Sequence, residues 1–193
     1  MQEEIKHKLL EKILEAVPFD GWSESALEYG AKKAGHHAGY ALLVFPGGAM
    51  EALDYYLVML DKQMLARELQ ETRITARIRE VLVRRFELLA KHKLVAGRTV
   101  AYLALPWNLA QASHFVWRTV DVIWHVAGND RSIDFNYYSK RSLLAGVYSS
   151  TLLHFLKDDS KGHKDTLDFL DRRLEEVLRV GKFIHECSSK AGL

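Results

Sequence analysis

Groups that could do chemistry are concentrated between residues 121 and 141. Asp121 and His125 are four residues apart, so they would share one face of a helix, where a carboxylate can pair with an imidazole. Such a pair can activate a nucleophile, but no Ser or Cys is evidently placed to use it. We therefore predict that the pair is structural and that the segment is not catalytic.

The nine histidines and the single cysteine form no recognisable metal-binding motif. One Glu-x-x-His pair occurs at Glu4 and His7, whereas a di-iron bundle needs two such pairs and further carboxylates on facing helices. A lone Cys187 excludes a disulfide framework and a cysteine-based zinc site, and is typical of a reducing compartment. Glycine-rich phosphate-binding motifs are also absent from the sequence. We expect no metal, no cofactor and no enzymatic activity.

The segment from residue 121 to residue 148 instead has the composition of a recognition surface. Its loop, rich in Asp, Asn, Gly and Arg, leads into the run Phe135-Asn136-Tyr137-Tyr138. Rigid aromatic side chains beside an arginine, here Arg141, are the residue types that carry binding energy at protein interfaces. A binding role is therefore predicted before any family is considered.

The elements that position these residues are predicted to be helices. Nearly every segment repeats its apolar residues with the 3.6-residue helical period, and none alternates like a strand. Ser23 is expected to cap a second helix that Gly35 closes. Gly97 is expected to precede a helix that ends near residues 105–108. The prediction is an all-α protein with a head over residues 1–48 and a larger helical body over residues 49–193.

The head has the pattern of a helix-turn-helix and resembles the N-terminal head of TetR-type repressors. The second helix of such a motif enters the major groove, and here it would be residues 37–44, which contain no Lys, Arg, Asn or Gln. Residues 1–61 carry five Lys and Arg against ten Asp and Glu, although phosphate contacts need cations. We therefore prefer the interpretation that the head has a structural role only. The alternative function is that of a ligand-responsive transcriptional regulator of the TetR type.

The body helices are rich in large apolar side chains, which could line a cavity for an apolar ligand. The candidate lipid-binding residues are Met59, Phe86, Trp107, Phe115, Trp124, Tyr148 and Leu152. Each of them could equally be ordinary core. Residues 62–98 carry ten Lys and Arg against four Asp and Glu. The basic face over residues 67–98 is either solvated or attracts anionic lipid.

The most specific pattern is D-V-I-W-H-V-A-G, followed after a short loop by D-F-N-Y-Y-S-K-R. Together with A-L-P-W-N-L-A before it and D-F-L-D-R-R-L after it, this pattern resembles the signature of the Coq-nine family of ubiquinone-biosynthesis accessory proteins. The resemblance covers nearly the whole chain. It implies a TetR-like all-α homodimer that no longer binds DNA and that holds an isoprenoid or another lipid, such as a phospholipid, in an internal cavity.

The resemblance also implies partners. Family members associate with membranes and present a quinone intermediate to the di-iron demethoxyubiquinone hydroxylase. The implied contact residues for this hydroxylase are Asp121, Ile123, Asp134, Tyr137, Tyr138 and Arg141. A tryptophan is common in the family at the position of Tyr137, so the aromatic anchor here is shorter.

The same resemblance bears on membrane contact and location. Family members carry a terminal amphipathic helix, whereas the residues after Gly181 do not supply the broad apolar face that an interfacial helix needs. We therefore expect weak peripheral contact with a membrane. The N-terminal residues are acidic and helical in period, unlike a signal or transit peptide. The expected location is the bacterial cytoplasm at the inner membrane, with the mitochondrial matrix, for a mature chain, as the alternative.

Overall fold

The computed structural model describes the backbone of residues 2–128 and 135–190, and the side chains of residues 2–127 and 138–179. Within these ranges the chain forms α-helices and two short 3₁₀ turns and contains no strand, which confirms the predicted all-α class. The helices are α1 (Gln2–Asp20), α2 (Glu24–Lys33), α3 (Tyr40–Val44), α4 (Gly48–Met64), α5 (Ile74–Ala90), α6 (Lys93–Leu103), α7 (Leu109–Gly128), α8 (Phe135–Lys157) and α9 (Lys164–Lys190).

The chain divides into two compact units. The first comprises Met1–Gln63 and Leu88–Phe115, and the second comprises Met64–Glu87 and Val116–Leu193. This division differs from the expected boundary after residue 48, because later helices pack against the head. The Lys6 ammonium is 3.1 Å from the Glu51 carboxylate of α4. In α6, Arg98 Nε donates a hydrogen bond to the carbonyl of Pro18, at 2.9 Å.

Local signals in the first unit act largely as the sequence indicates. The Ser23 hydroxyl accepts a hydrogen bond from the Ala26 amide at 3.2 Å and so caps α2. Gly35 follows that helix with φ of +83°, a conformation that suits glycine. By contrast, α6 begins at Lys93, so Gly97 lies within the helix and does not precede it. Buried packing against the rest of the unit therefore outweighs the weak helix propensity of this glycine.

The position of a DNA-reading helix is occupied by α3, which is shorter than expected and begins at Tyr40. The ring of His36 stacks on that of Tyr40, with centroids 3.8 Å apart, in the turn before this helix. Leu42 and Leu43 are exposed on α3, which carries no cationic side chain. This surface is apolar where a DNA-binding helix would present donors to phosphates and bases.

In the second unit, α8 begins at Phe135, so the aromatic run of residues 135–138 forms its first turn. The start of α9 is held by Asp158, whose carboxylate accepts hydrogen bonds from the backbone amides of Ser160 and Thr166, both at 2.8 Å. Burial raises the pKa of Asp158, but the hydrogen bonds from Ser160 and Thr166 outweigh it and hold that pKa well below its usual value. The cap therefore stays charged in mildly acid solution.

A close approach between two helices of the first unit depends on Gly30. A Cβ atom at this position would lie 2.5 Å from Ile13 Cγ1 and 2.9 Å from the Ile13 backbone nitrogen. We expect Gly30→Ala to lower the free energy of unfolding by about 1–3 kcal/mol, because α1 and α2 must move apart. Urea denaturation measures the change.

Gly146 of α8 is the matched control for this prediction, since a Cβ atom added there would have no other heavy atom within 4 Å. Gly146→Ala should leave stability unchanged or raise it by about 0.5–1 kcal/mol, because alanine favours the helix. Equal destabilisation by both substitutions would contradict the assigned close approach.

Candidate functional site

An apolar groove lies among α5, α7, α8 and α9 of the second unit, with a cavity volume of about 80 Å³. Its lining residues are Ile74, Thr75 and Ile78 of α5, Trp124 of α7, Lys140, Leu144 and Val147 of α8, and Leu174, Val177 and Leu178 of α9. All but Thr75 and Lys140 are hydrophobic. The groove is therefore suited to hydrocarbon, with one cationic side chain at its edge.

Helical spacing places these side chains together. Leu144 and Val147 are three residues apart on α8, and Leu174 and Leu178 are four apart on α9, so each pair projects from one helix face. Leu144 and Leu174 are buried and close the floor of the groove. Leu178 and Ile74 are exposed and form its rim. Apolar side chains at an open rim leave room for a ligand to enter.

Trp124 connects the groove to α8. Its indole Nε1 donates a hydrogen bond to the Lys140 carbonyl at 3.3 Å. The Lys140 ammonium lies 5.9 Å from the centre of the same ring, within cation–π range. The indole therefore presents its apolar body to the groove while its polar atom is satisfied by the backbone.

A buried ion pair lies next to the groove. Arg141 Nε is 2.6 Å from Asp121 Oδ1, and the arginine side chain is 2% exposed while that of Asp121 is 43% exposed. Removing a guanidinium from water is costly unless a carboxylate compensates the charge. Asp121 thus fixes α8 against α7 through Arg141.

An aromatic surface, formed by Trp117, Asp121 and Tyr138, lies beside this ion pair. Trp117 and Asp121 are four residues apart on α7. The ring of Tyr138, which is 55% exposed, stacks on that of Trp117 with centroids 6.1 Å apart and an interplanar angle of 27°. Stacking restrains an aromatic side chain before a partner arrives, so less conformational entropy is lost on binding.

The residues expected to contact the hydroxylase differ in their accessibility in the structure. Tyr138 and Asp121 are accessible, whereas Ile123 and Arg141 are buried and have no surface to offer. This corrects the prediction for those two side chains, which pack between helices and position the accessible residues. The expected contact Asp134 lies outside the described residues. The backbone of Tyr137 is in α8, and its side chain lies outside the described side chains.

The candidate lipid-binding residues are similarly divided. Of the seven, Trp124 lines the apolar groove. Phe86, Phe115 and Tyr148 are buried, and Phe86 packs against Tyr148 with ring centroids 6.2 Å apart, as core residues do. Met59 is half-buried beside His7, and Leu152 is half-buried on α8. Trp107 is 75% exposed, so the expectation that it lines a cavity is corrected.

The remaining hydrophobic residues of the groove belong to the apolar stripes of α5, α8 and α9. Their signal in the sequence is the helical period, which is identical for core residues and for groove residues. The sequence therefore identifies the stripes without separating these two roles.

A second cleft, of about 480 Å³, is charged. Arg84 donates to the carbonyls of Arg67 and Glu68 at 2.6 and 2.7 Å. The Glu80 carboxylate accepts from the amides of Gln70 and Glu71 at 3.1 and 3.3 Å. Here the ionic groups hold the segment between α4 and α5 against α5.

Fewer cations are available on the expected basic face over residues 67–98 than the sequence indicates. Arg77 donates to the Val126 carbonyl at 2.8 Å, Arg79 pairs with Asp171 at 2.9 Å, and Arg85 is buried. Internal contacts thus occupy much of the positive charge of α5.

Metal-binding and membrane-spanning features are both lacking in the described residues. No group of three or more His, Cys, Asp or Glu side chains is arranged to hold a metal ion within the described part of the chain. Among the same residues, no helix combines the length and apolar character required to cross a membrane.

The fold is similar to that in the crystal structure of the TetR transcriptional regulator from Nitrosomonas europaea ATCC 19718. The TM-score is 0.71 with 19% sequence identity, and the match covers 90% of this chain and 97% of that one. At this identity the similarity establishes the fold alone.

The sequence comparisons are more specific. The COQ9 family model matches residues 109–181, which include α7, α8 and most of α9. The ubiquinone biosynthesis protein COQ9, mitochondrial, of Rattus norvegicus is 30% identical over 190 residues, covering 93% of this chain and 61% of that protein. The Homo sapiens protein of the same name is 28% identical over 190 residues, covering 93% and 59%. This chain therefore spans about three fifths of the length of these relatives.

These observations define an all-α protein of TetR-like fold that carries an apolar groove beside an aromatic surface. Its sequence is similar to the COQ9 family model over residues 109–181 and to COQ9 proteins over nearly its whole length.

The ion pair can be tested by combined substitution. Asp121→Ala should lower the free energy of unfolding by about 2 kcal/mol, because the buried Arg141 guanidinium loses this carboxylate. In the double variant Asp121→Ala, Arg141→Met, an apolar side chain replaces the buried charge, and about half of the loss or more should be recovered. Urea denaturation of the unchanged protein, of Asp121→Ala, of Arg141→Met and of the double variant measures the coupling. Losses that simply add would show that the two side chains act independently.

Proposed function

We propose that this chain is a non-catalytic accessory protein of ubiquinone biosynthesis. It binds a polyprenyl quinone intermediate and presents it to the di-iron demethoxyubiquinone hydroxylase. The observation that carries the proposal is the apolar groove next to an exposed aromatic surface. Apart from the groove residues of α5, both lie in the segment that matches the COQ9 family model. The names of the relatives, which assign them to ubiquinone biosynthesis, support the pathway.

The dimensions of the groove limit how a lipid can enter. Pockets that enclose a whole small-molecule ligand have volumes of about 300–1,000 Å³, whereas this groove has about 80 Å³. A polyprenyl tail therefore enters by displacing the exposed rim residues Ile74 and Leu178. α5 and α9 carry these residues, so the separation of α5 and α9 controls the length of tail that is buried.

The aromatic surface is the proposed docking site for the hydroxylase. Tyr138 is accessible and restrained by Trp117, and Asp121 contributes an acidic edge. Arg141 acts indirectly because it holds Asp121 in place. A ligand in the groove would contact Trp124, which lies seven residues after Trp117 on α7, so lipid site and docking site share one helix.

The proposal requires no catalytic group of the chain itself. Chemistry on the quinone is left to the hydroxylase, and this chain contributes binding and orientation. We further propose that it acts as a homodimer in weak peripheral contact with a membrane. The mitochondrial names of the relatives support the mitochondrial alternative for its location.

Filling the groove tests the lipid site. In Val177→Trp the larger ring should occupy the space between α5 and α9 and weaken binding of a short-chain ubiquinone about tenfold, or ~1.4 kcal/mol. Leu153→Trp, at an exposed position of α8 outside the groove, is the matched control and should bind normally. Native mass spectrometry and fluorescence titration give occupancy and affinity. A purified protein that carries no lipid and binds no quinone would exclude the lipid site.

Truncating the exposed aromatic side chain tests the docking surface. Tyr138→Ala should weaken binding to the hydroxylase by ~2 kcal/mol, or roughly thirtyfold, because the stacked anchor is removed. Tyr29→Ala removes an exposed tyrosine from the first unit and serves as the control. Surface plasmon resonance measures both affinities. If Tyr138→Ala binds as tightly as the unchanged protein, this side chain is not part of the interface.

A further inference from the structure

An ion pair bridges the two helices that carry the rim of the apolar groove. Arg79 of α5 donates from Nε to Oδ1 of Asp171 on α9, and from Nη2 to Oδ2 of the same carboxylate at 2.9 Å. Two parallel hydrogen bonds between a guanidinium and a carboxylate fix the orientation of the two groups as well as their distance. We refer to Arg79 and Asp171 as the clasp, because they join α5 to α9.

The clasp lies at one end of the groove. Asp171 is three residues before Leu174 and seven before Leu178, so the three side chains share one face of α9. On α5, Arg79 is four residues after Thr75, which also lines the groove. A change in the distance between Arg79 and Asp171 therefore changes the width of the groove.

Both helices of the clasp are held by other contacts. The start of α9 is held by the buried Asp158, whose carboxylate accepts a hydrogen bond from the Thr166 amide at 2.8 Å. On α5, Arg77 donates to the Val126 carbonyl of α7, also at 2.8 Å. Beyond Asp171, the α9 residues that line the groove are all apolar. This later part of α9 can therefore move away from α5, about the held start of the helix, when the clasp opens.

Exposure makes the clasp reversible. The Arg79 side chain is 45% exposed and that of Asp171 is 40% exposed, whereas the Arg141 side chain is 2% exposed. Water and salt ions can replace the partner of an exposed charge at small cost, but a buried charge that loses its partner is strongly destabilising. The clasp can therefore open while a ligand enters, and the pair of Asp121 with Arg141 keeps α8 against α7 throughout.

We propose that the clasp controls the entry of an apolar tail into the groove. When it is closed, α5 and α9 stay together and the cavity has its small volume of about 80 Å³. When it opens, α9 moves outward, the rim residues Ile74 and Leu178 separate, and the tail is admitted between them. Arg79 and Asp171 act by positioning the two helices. This inference rests on the proposed lipid site and adds the residues that regulate access to it.

Loading kinetics test the clasp. Asp171→Asn preserves the size of the side chain and removes its charge. A short-chain ubiquinone should then enter about two- to fivefold faster, the factor expected when an exposed ion pair is lost. Stopped-flow quenching of tryptophan fluorescence measures the rate, since Trp124 lines the groove.

Glu176→Gln is the matched control for this variant. It also replaces a carboxylate of α9 by an amide, and it breaks the pair between Arg173 and Glu176, whose side chains are 39% and 50% exposed. That pair lies within α9 and does not bridge to α5, so the control should load at the rate of the unchanged protein.

Salt distinguishes the clasp from general loosening of the fold. In the unchanged protein, high salt should speed loading because it screens the two charges of the clasp. In Asp171→Asn the clasp is already lost, so salt should leave the loading rate unchanged. Equal acceleration by salt in both proteins, or equal loading rates of the two proteins at low salt, would overturn the proposal.

A covalent clasp should have the opposite effect. In a Cys187→Ser background, which lacks the single native cysteine, Arg79→Cys and Asp171→Cys can be joined by a reversible bis-thiosulfonate reagent. The joined protein should load several times more slowly than the same protein after reduction and desalting, because α9 can no longer move away from α5. Equal rates would show that the tail enters by another route, and the proposal would be wrong.

A measurement without ligand separates this inference from the lipid site. Nitroxide labels at Glu87→Cys and Glu175→Cys, both at exposed positions of α5 and α9, report helix separation by double electron–electron resonance. Asp171→Asn should increase the population of long distances. An unchanged distribution would exclude the clasp even if quinone binds. A shifted distribution in a protein that binds no quinone would exclude the lipid site, while confirming that the clasp sets the separation of α5 and α9.

Discussion

The buried guanidinium of Arg141 is the constraint on which the site depends. A charge that is 2% exposed has to be compensated within the protein, and Asp121 does this across 2.6 Å from the neighbouring helix. The ion pair thereby fixes the register of α8 against α7. Trp117 lies one turn before Asp121 and Trp124 one turn after it, so this register brings Tyr138 against Trp117 and the α8 backbone against Trp124. The groove and the aromatic surface thus depend on one interaction.

Ionic contacts elsewhere in the second unit show that charge composition is a poor guide to surface potential. The basic block of α5 looks like a cationic face in the sequence, yet Arg77, Arg79 and Arg84 each donate to a group within the second unit. These arginines stabilise the packing of the second unit, and their charges are therefore less available to bind an external partner.

Much of the fold was predictable because its signals are local. Ser23 and Gly35 act at the ends of α2 through hydrogen bonding and backbone conformation, which depend on neighbouring residues. Helical period identified the stripes that line the groove. The prediction for Gly97 is wrong because buried packing overrides helix propensity. The predicted contact residues Ile123 and Arg141 are buried, since residue type and motif position do not report which helix lies opposite.

The sequence alone therefore determined the helical class, the cap of α2 and the motif that resembles the COQ9 family. Only the tertiary structure decided which residues of that motif are accessible. Arg141, a charged residue expected at the surface, is buried, and Trp107, expected in a cavity, is 75% exposed. Burial is set by contacts between helices that are distant in sequence, and the helical period of one segment contains no information about the partner it packs against.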